Sequence, residues 1–314
     1  MNNRNLLAIG RSRLLFDSIR YLASKGYKFK IIITAEAYEE YDIKSNDFKA
    51  LASELGAVFF NTNQLVPGEL TAIIKENKIQ AAISVNWMYK IPKAILDLFE
   101  YGILNFHLGN LPDYKGNATV NWTIINGEKF INGNIHKMDP ELDTGDIIAR
   151  KAIPISEDTY IIDILKQAES DAPLLFEEAI EKVFINPGVV EEKGSANGLR
   201  CYPRLPEDSQ VHWDQHAEQV CRLIRASSHP YKGAFTFFNS EKVLIWKAKV
   251  YPNEHKFLAI PGHVVSIQKD TKSIIVACKE SMLQIQEIEY QGKVMMPADL
   301  VKSIRVRFKY SADA

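Results

Sequence analysis

Short apolar runs alternate with segments whose apolar residues recur every three or four positions through most of the N-terminal half of the chain. Such runs at 6–9, 29–34, 58–60, 79–85 and 102–106, and the more mixed stretches at 131–137 and 147–153, predict strands, and several are apolar throughout, as strands buried on both faces are. The periodic segments at 12–24, 48–55, 69–77 and 119–126 predict helices. A longer helix is expected over 160–184, with Ile164, Leu165, Ala168, Ala172 and Leu175 on one face. Strand–helix alternation of this kind predicts a mostly parallel sheet covered by helices. The pattern then changes. Asn186, Pro187 and Gly188 break the helix, and the polar, Gly-containing stretch 191–198 reads as a linker. Beyond it, runs at 234–238, 243–251, 262–268, 273–277 and 283–290 predict a small antiparallel barrel, interrupted by helical pieces at 214–226 and 297–303. The expected domains are 1–200 and 201–314.

Composition narrows the function classes. The chain has 314 residues, 46 % hydrophobic and 25 % charged, which fits a folded globular protein of about two domains. Lys and Arg number 38 against 39 Asp and Glu, so no global charge draws the chain to nucleic acid or to an anionic membrane. No apolar run approaches the ~20 residues that a membrane helix needs, and no secretory signal is expected. Cys201, Cys221 and Cys278 are too scattered for a metal site or a disulfide framework. These features together predict a cytoplasmic protein with no bound metal.

The first strand–helix turn, from Gly10 to Leu14, lacks the glycine spacing that admits a dinucleotide pyrophosphate. The informative stretch is 102–116. Asn105 and His107 are two positions apart at the end of a strand, so both point to one face. That places an amide and an imidazole at the carboxyl edge of the sheet, where open α/β folds keep their ligand crevice. Asp143 follows 36 positions later, in the turn Asp143-Thr-Gly145 between two strands, and can fold back over the same edge. On residue types alone, a structural or solvated histidine and a plain turn aspartate are the commoner readings.

Asn105-x-His107, Leu111-Pro-x-Tyr-Lys-Gly116 and Met138-Asp-x-x-Leu-Asp143-Thr-Gly-Asp146 together resemble the signature of the folate-dependent formyltransferases. That family includes methionyl-tRNA formyltransferase, glycinamide ribonucleotide formyltransferase and sugar-nucleotide N-formyltransferases. The stretches 222–235 and 292–300 are similar to the opening and the end of a barrel domain found in some members. The resemblance implies a Rossmann-like, mostly parallel α/β catalytic domain followed by a small OB-like β-barrel. It implies transfer of a formyl group from 10-formyltetrahydrofolate to a primary amine, without metal or covalent nucleophile. Asn105 and His107 would polarise the formyl oxygen and stabilise its oxyanion, while Asp143 orients or charges His107 and helps deprotonate the amine. The pterin would lie against Asn86, Trp87, Met88 and Tyr89, and against the turn holding Leu142 and Asp146.

The acceptor is read from departures within the family. Methionyl-tRNA formyltransferase resembles its relatives in carrying a basic insertion after the second strand. Here 35–47 holds Glu36, Glu39, Glu40, Asp42 and Asp47 against Lys44, and such a loop repels phosphates. The loop Leu108-Gly-Asn-Leu-Pro-Asp113 also lacks that enzyme's basic residue, and 121–127 is closer to the sugar enzymes. The expected acceptor is a dTDP- or UDP-linked amino-deoxysugar, a 4-amino sugar favoured, used for surface polysaccharide such as O-antigen or lipopolysaccharide. Neither nucleic acid nor membrane is expected as a partner, and relatives suggest a homodimer. Tyr114, Lys115 and Trp122 are the candidate nucleotide-sugar contacts. Arg222, Arg225 and His229 read as a solvated helix face, with a diphosphate contact as the alternative.

Overall fold

The computed structural model describes residues 4–36, 41–252 and 256–311. The acidic positions Glu39 and Glu40 lie outside these. In chain order the elements of the first half are β1 (Asn5–Gly10), α1 (Arg13–Ser24), β2 (Lys28–Thr34), α2 (Ser45–Leu55), β3 (Val58–Asn61), α3 (Pro67–Glu76), β4 (Ala81–Val85), α4 (Lys93–Leu96) and β5 (Ile103–Leu108). There follow β6 (Lys115–Gly116), α5 (Thr119–Asn126), β7 (Phe130–Lys137), β8 (Ile147–Pro154), α6 (Ile161–Ile185) and β9 (Arg200–Cys201). The central sheet runs β3-β2-β1-β4-β5-β7-β8. Pairing is parallel from β3 through β5 and antiparallel between β5 and β7. Every residue of β1 and of β4 is buried, as the unbroken apolar runs require.

The C-terminal elements are α7 (Ala217–Ser227), β10 (Ala234–Phe238), β11 (Glu241–Tyr251), β12 (Val264–Gln268), β13 (Ser273–Ala277), β14 (Met282–Tyr290), β15 (Lys293–Met295) and α8 (Pro297–Leu300). Their antiparallel sheet runs β10-β11-β14-β13-β12, with β15 on β14. The segment 306–309 closes it into a barrel. Lys309 and Phe237 exchange backbone hydrogen bonds on one side, while Phe308 N–H donates to Gly262 O and Val264 N–H to Val306 O on the other. Trp213, fully buried, anchors this core by stacking on Phe308 at 5.7 Å and donating from Nε1 to Thr236 Oγ1 at 3.0 Å.

Two compact units result. The first runs through Thr119 and takes in Phe130–Ile153 and Leu165–Cys201. The second holds Val120–Lys129, Pro154–Ile164 and the chain from Tyr202 onward. The mostly parallel α/β sheet and the separate antiparallel barrel are those that the hydrophobic pattern predicts. The differences are short elements. α4, β6, β9 and β15 are too brief for periodicity to register, and α7 starts three residues later than expected because 214–216 form its entry turn. The stretch 191–198 is not a free linker. Glu191 N–H donates to Ile147 O, and Gly194 N–H and Lys193 Nζ donate to the Asp146 carboxylate. Among the described residues, no helix is long and apolar enough to cross a membrane.

Candidate active site

Asn105 and His107 stand on β5 with their side chains on one face. The antiparallel register pairs Asn105 with His136 and His107 with Asn134 across β7. Cross-strand partners share a face, so all four side chains crowd one edge of the sheet. Asn134 is fully buried, and its amide nitrogen reaches the carbonyls of His107 at 3.1 Å and Gly109 at 2.6 Å, pinning the end of β5. Gly109 has to be glycine, because a Cβ there would stand 2.6 Å from His107 Nε2 and 2.7 Å from Tyr114 O.

Asp143 reaches this cluster from the turn between β7 and β8. Asp139 shapes the turn by accepting from Glu141 N–H and Thr144 Oγ1. Asp143 itself sits at φ 53°, a left-handed conformation that Asp tolerates better than most residues. Its Oδ2 accepts from Gly116 N–H at 2.9 Å and lies 3.5 Å from His107 Nδ1. Its Oδ1 lies 3.5 Å from His136 Nε2. His107 Nε2 donates to Tyr114 O at 2.8 Å, so Nδ1 is the nitrogen of His107 that exchanges a proton. Asn105, His107 and Asp143 thus do converge. His136 completes the cluster, yet nothing in its local sequence marks it. Only its spacing of seven positions before Asp143 and the pairing of β7 with β5 could have found it.

The electrostatics separate the two proton-carrying groups. Burial lowers the His107 pKa below 6.5, against an upward pull from Asp143. Burial raises the Asp143 pKa, but His107, His136 and the Gly116 N–H outweigh it and hold the carboxyl well below the usual carboxylate range. Both groups therefore bind protons more readily in the unfolded chain. Their contribution to stability is complete above pH 6.5 and is lost as pH falls, first through His107 and then, below 3.8, through Asp143. The thermal midpoint is expected to drop on acidification from about pH 7.5 to about 5.5, and to drop less in His107→Gln. An equal drop in both proteins would show that His107 does not titrate in this way.

The candidate donor-binding residues divide. Ser84 and Val85 pair with Asn105 and Phe106, so the segment leaving β4 emerges beside the cluster. Asn86, at φ 53°, donates to Ser12 Oγ at 3.1 Å. Trp87 packs on the core with Tyr89 edge-on at 5.4 Å, and its buried Nε1–H has no partner among the described residues. Met88, Tyr89 and Leu142 are exposed. The Asp146 carboxylate is taken up by Lys193 and Gly194, which also hold its pKa down.

The candidate acceptor contacts have partners within the protein. Lys115 is buried, and Nζ donates to the carbonyls of Ser195, Ala196 and Asn197 at 3.0, 2.8 and 2.8 Å. All three of its protons are used inside the first unit. Tyr114 is buried, sits at φ 55°, and serves His107 through its carbonyl. Trp122 belongs to the second unit, where it donates to Tyr202 O at 2.9 Å and carries Arg204 over its ring. Arg225 is not solvated; it is buried and donates to Ser156 O and Thr159 O. Arg222 donates to Glu218 O, and His229 stacks on Trp246 at 3.9 Å. The three thiols are buried and unpaired, with burial pushing Cys201 up to about 11 and Cys278 to about 12. No group of His, Cys, Asp or Glu able to hold a metal occurs among the described residues. A polar cavity of about 410 Å³, lined by Glu36 and Asn61 to Gln64 at the ends of β2 and β3, contains none of the converging groups.

Comparison with known proteins divides the chain in sequence order. Residues 26–179 match the family model described as formyl transferase, and residues 205–305 match the formyl transferase C-terminal domain. Methionyl-tRNA formyltransferase of Thermodesulfovibrio yellowstonii is 25 % identical over 93 % of this chain and 93 % of its own length. Among solved structures, HypX from Aquifex aeolicus in complex with tetrahydrofolic acid superposes with a TM-score of 0.60 at 17 % identity. It covers 96 % of this chain, which spans 47 % of that one. The N-formyltransferase from Helicobacter canadensis in complex with folinic acid and dTDP-3-aminofucose gives a TM-score of 0.63 at 17 % identity, covering 90 % of this chain and 99 % of its own. At these identities the structural likeness concerns the fold.

Proposed function

The chain belongs to the formyl transferase family and is a formyl-transferring enzyme, and from that premise we propose that it moves the formyl group of 10-formyltetrahydrofolate to the amine of a dTDP- or UDP-linked amino-deoxysugar, a 4-amino sugar favoured. The convergence of Asn105, His107 and Asp143 carries the chemistry. The amine nitrogen bonds to the formyl carbon, the bond from that carbon to the folate nitrogen breaks, and one proton passes from amine to folate nitrogen. His107 Nδ1, facing the Asp143 carboxylate, is suited to hold that proton in transit. The Asn105 amide is suited to meet the oxyanion. Folates accompany the HypX and Helicobacter structures. The exposed Met88, Tyr89 and Leu142, with the unpartnered Trp87 N–H nearby in sequence, fit a flat heterocycle beside β4 and β5.

The acceptor reading rests on the acidic segment after β2. Glu36, Asp42 and Asp47 are described there against Lys44, and Asp42 is paired with Arg13 while Asp47 accepts from the Lys44 N–H. Such a surface disfavours an acceptor stem. Methionyl-tRNA as acceptor is the second reading. It is favoured by the curated relative and by the barrel-closing segment, where Arg305 and Arg307 are exposed while Phe308 between Arg307 and Lys309 is buried. Incubation with 10-formyltetrahydrofolate and a panel of dTDP- and UDP-amino sugars, beside methionyl-tRNA, decides. Turnover with one sugar nucleotide alone is expected. Turnover with the tRNA alone would assign the second reading.

A further inference from the structure

His136 belongs to neither of the segments that carry the chemistry, yet it touches two of the three converging groups. It is 1 % exposed. Its Nε2 lies 3.0 Å from the Asn105 amide and 3.5 Å from Asp143 Oδ1. Its Nδ1 is buried and has no partner among the described residues.

These contacts locate the proton of the neutral ring. A proton on Nδ1 would be a buried donor without an acceptor among the described residues. A proton on Nε2 instead meets Asp143 Oδ1. With Nε2 protonated, an amide nitrogen 3.0 Å away would set two donors against each other. The two ends of an amide have nearly the same shape, so the hydrogen-bond network decides which one faces the ring. The Asn105 oxygen fits and its nitrogen does not. The NH2 group is then directed away from His136.

We infer that His136 is a positioning residue for formyl transfer: its Nε2–H, shared between Asp143 Oδ1 and Asn105 Oδ1, turns the Asn105 amide so that an N–H faces the formyl oxygen. The orientation matters because His107 Nε2 is already committed to Tyr114 O. The Asn105 N–H is thus the donor left for the developing oxyanion, and a fixed donor needs no reorganisation as charge develops. A leucine at 136 would fill the space but let the amide rotate. Glutamine would restore an N–H in the place of Nε2.

The inference rests on the family reaction and not on the identity of the acceptor. Histidine 15N NMR on the intact protein reads the tautomer of His136 directly. A proton on Nε2 is expected, and a ring protonated at Nδ1 alone would overturn the inference. With whichever acceptor the panel identifies, His136→Leu is expected to lower kcat by about tenfold to a hundredfold. Its KM for the folate donor should stay within about threefold. His136→Gln should recover to within about fivefold of wild type. In an Asn105→Ala background, His136→Leu should cost no more than about twofold further, since its effect passes through Asn105. Loss of the full factor in that background, or no recovery with glutamine in a protein of unchanged thermal midpoint, would show a role independent of the amide. If no sugar nucleotide turns over, the acceptor reading fails and the tautomer still decides this one.

Discussion

Replacing Asp143 by asparagine is expected to lower kcat by about a thousandfold, and to lower the thermal midpoint at neutral pH, where the carboxylate contributes to stability. The position demands a left-handed backbone at φ 53°, and asparagine tolerates it. The amide oxygen can still accept from Gly116 N–H, so the loop keeps its anchor. The charge beside His107 Nδ1 is lost. Burial then acts on the ring without the opposing pull of Asp143, and the His107 pKa falls further below 6.5. A ring that holds its proton less readily is a poorer station for the proton leaving the amine. An NMR titration of His107 in the variant, beside steady-state kinetics, checks both halves. Unchanged turnover, or a His107 pKa that rises, would remove Asp143 from the proton path.

Lys115→Met is expected to destabilise the protein by about 3 kcal/mol, a fall in midpoint on the order of 8 °C for a unit of this size. Its buried ammonium gathers three carbonyls of the segment 195–197. That segment is held to the loop before α5 again where Leu199 N–H donates to Asp113 Oδ1, and β6 pairs with β9 beyond it. Gly116, next to Lys115, donates to Asp143. Loosening the strap therefore reaches the site by way of that contact, and kcat should fall with a nearly constant KM for the acceptor. A raised acceptor KM in a protein of unchanged stability would instead return Lys115 to the substrate pocket. Thermal unfolding and kinetics on one preparation separate the two.

Lys115 and Asp146 show what local sequence leaves open at the site. Both lie in motif segments, and both are polar residues outside the long strands and helices, where sequence places ligand contacts. Their partners lie far along the chain: the carbonyls of 195–197 for one, Lys193 and Gly194 for the other. Nothing local distinguishes a loop residue aimed at a substrate from one that holds down another loop. His136 fails in the opposite sense. It stands in a strand of mixed polar and apolar residues, between Ile135 and Lys137, with nothing local to mark it, and the Asn105–His136 pairing exists only once β7 lies antiparallel to β5.

The linear chain by itself determined the order of strands and helices, the change from a helix-covered parallel sheet to an antiparallel barrel, and the pairing of Asn105 with His107 on one face. These follow from periods of two and of about 3.6 residues, which are local properties of a backbone and can be counted along it. Tertiary structure alone decided which nitrogen of His107 is free, that His136 joins Asn105 to Asp143, and that 306–309 closes the barrel. Each depends on strand register and loop closure between distant segments. A shift of one residue in register turns every side chain to the opposite face, and no local pattern records that choice.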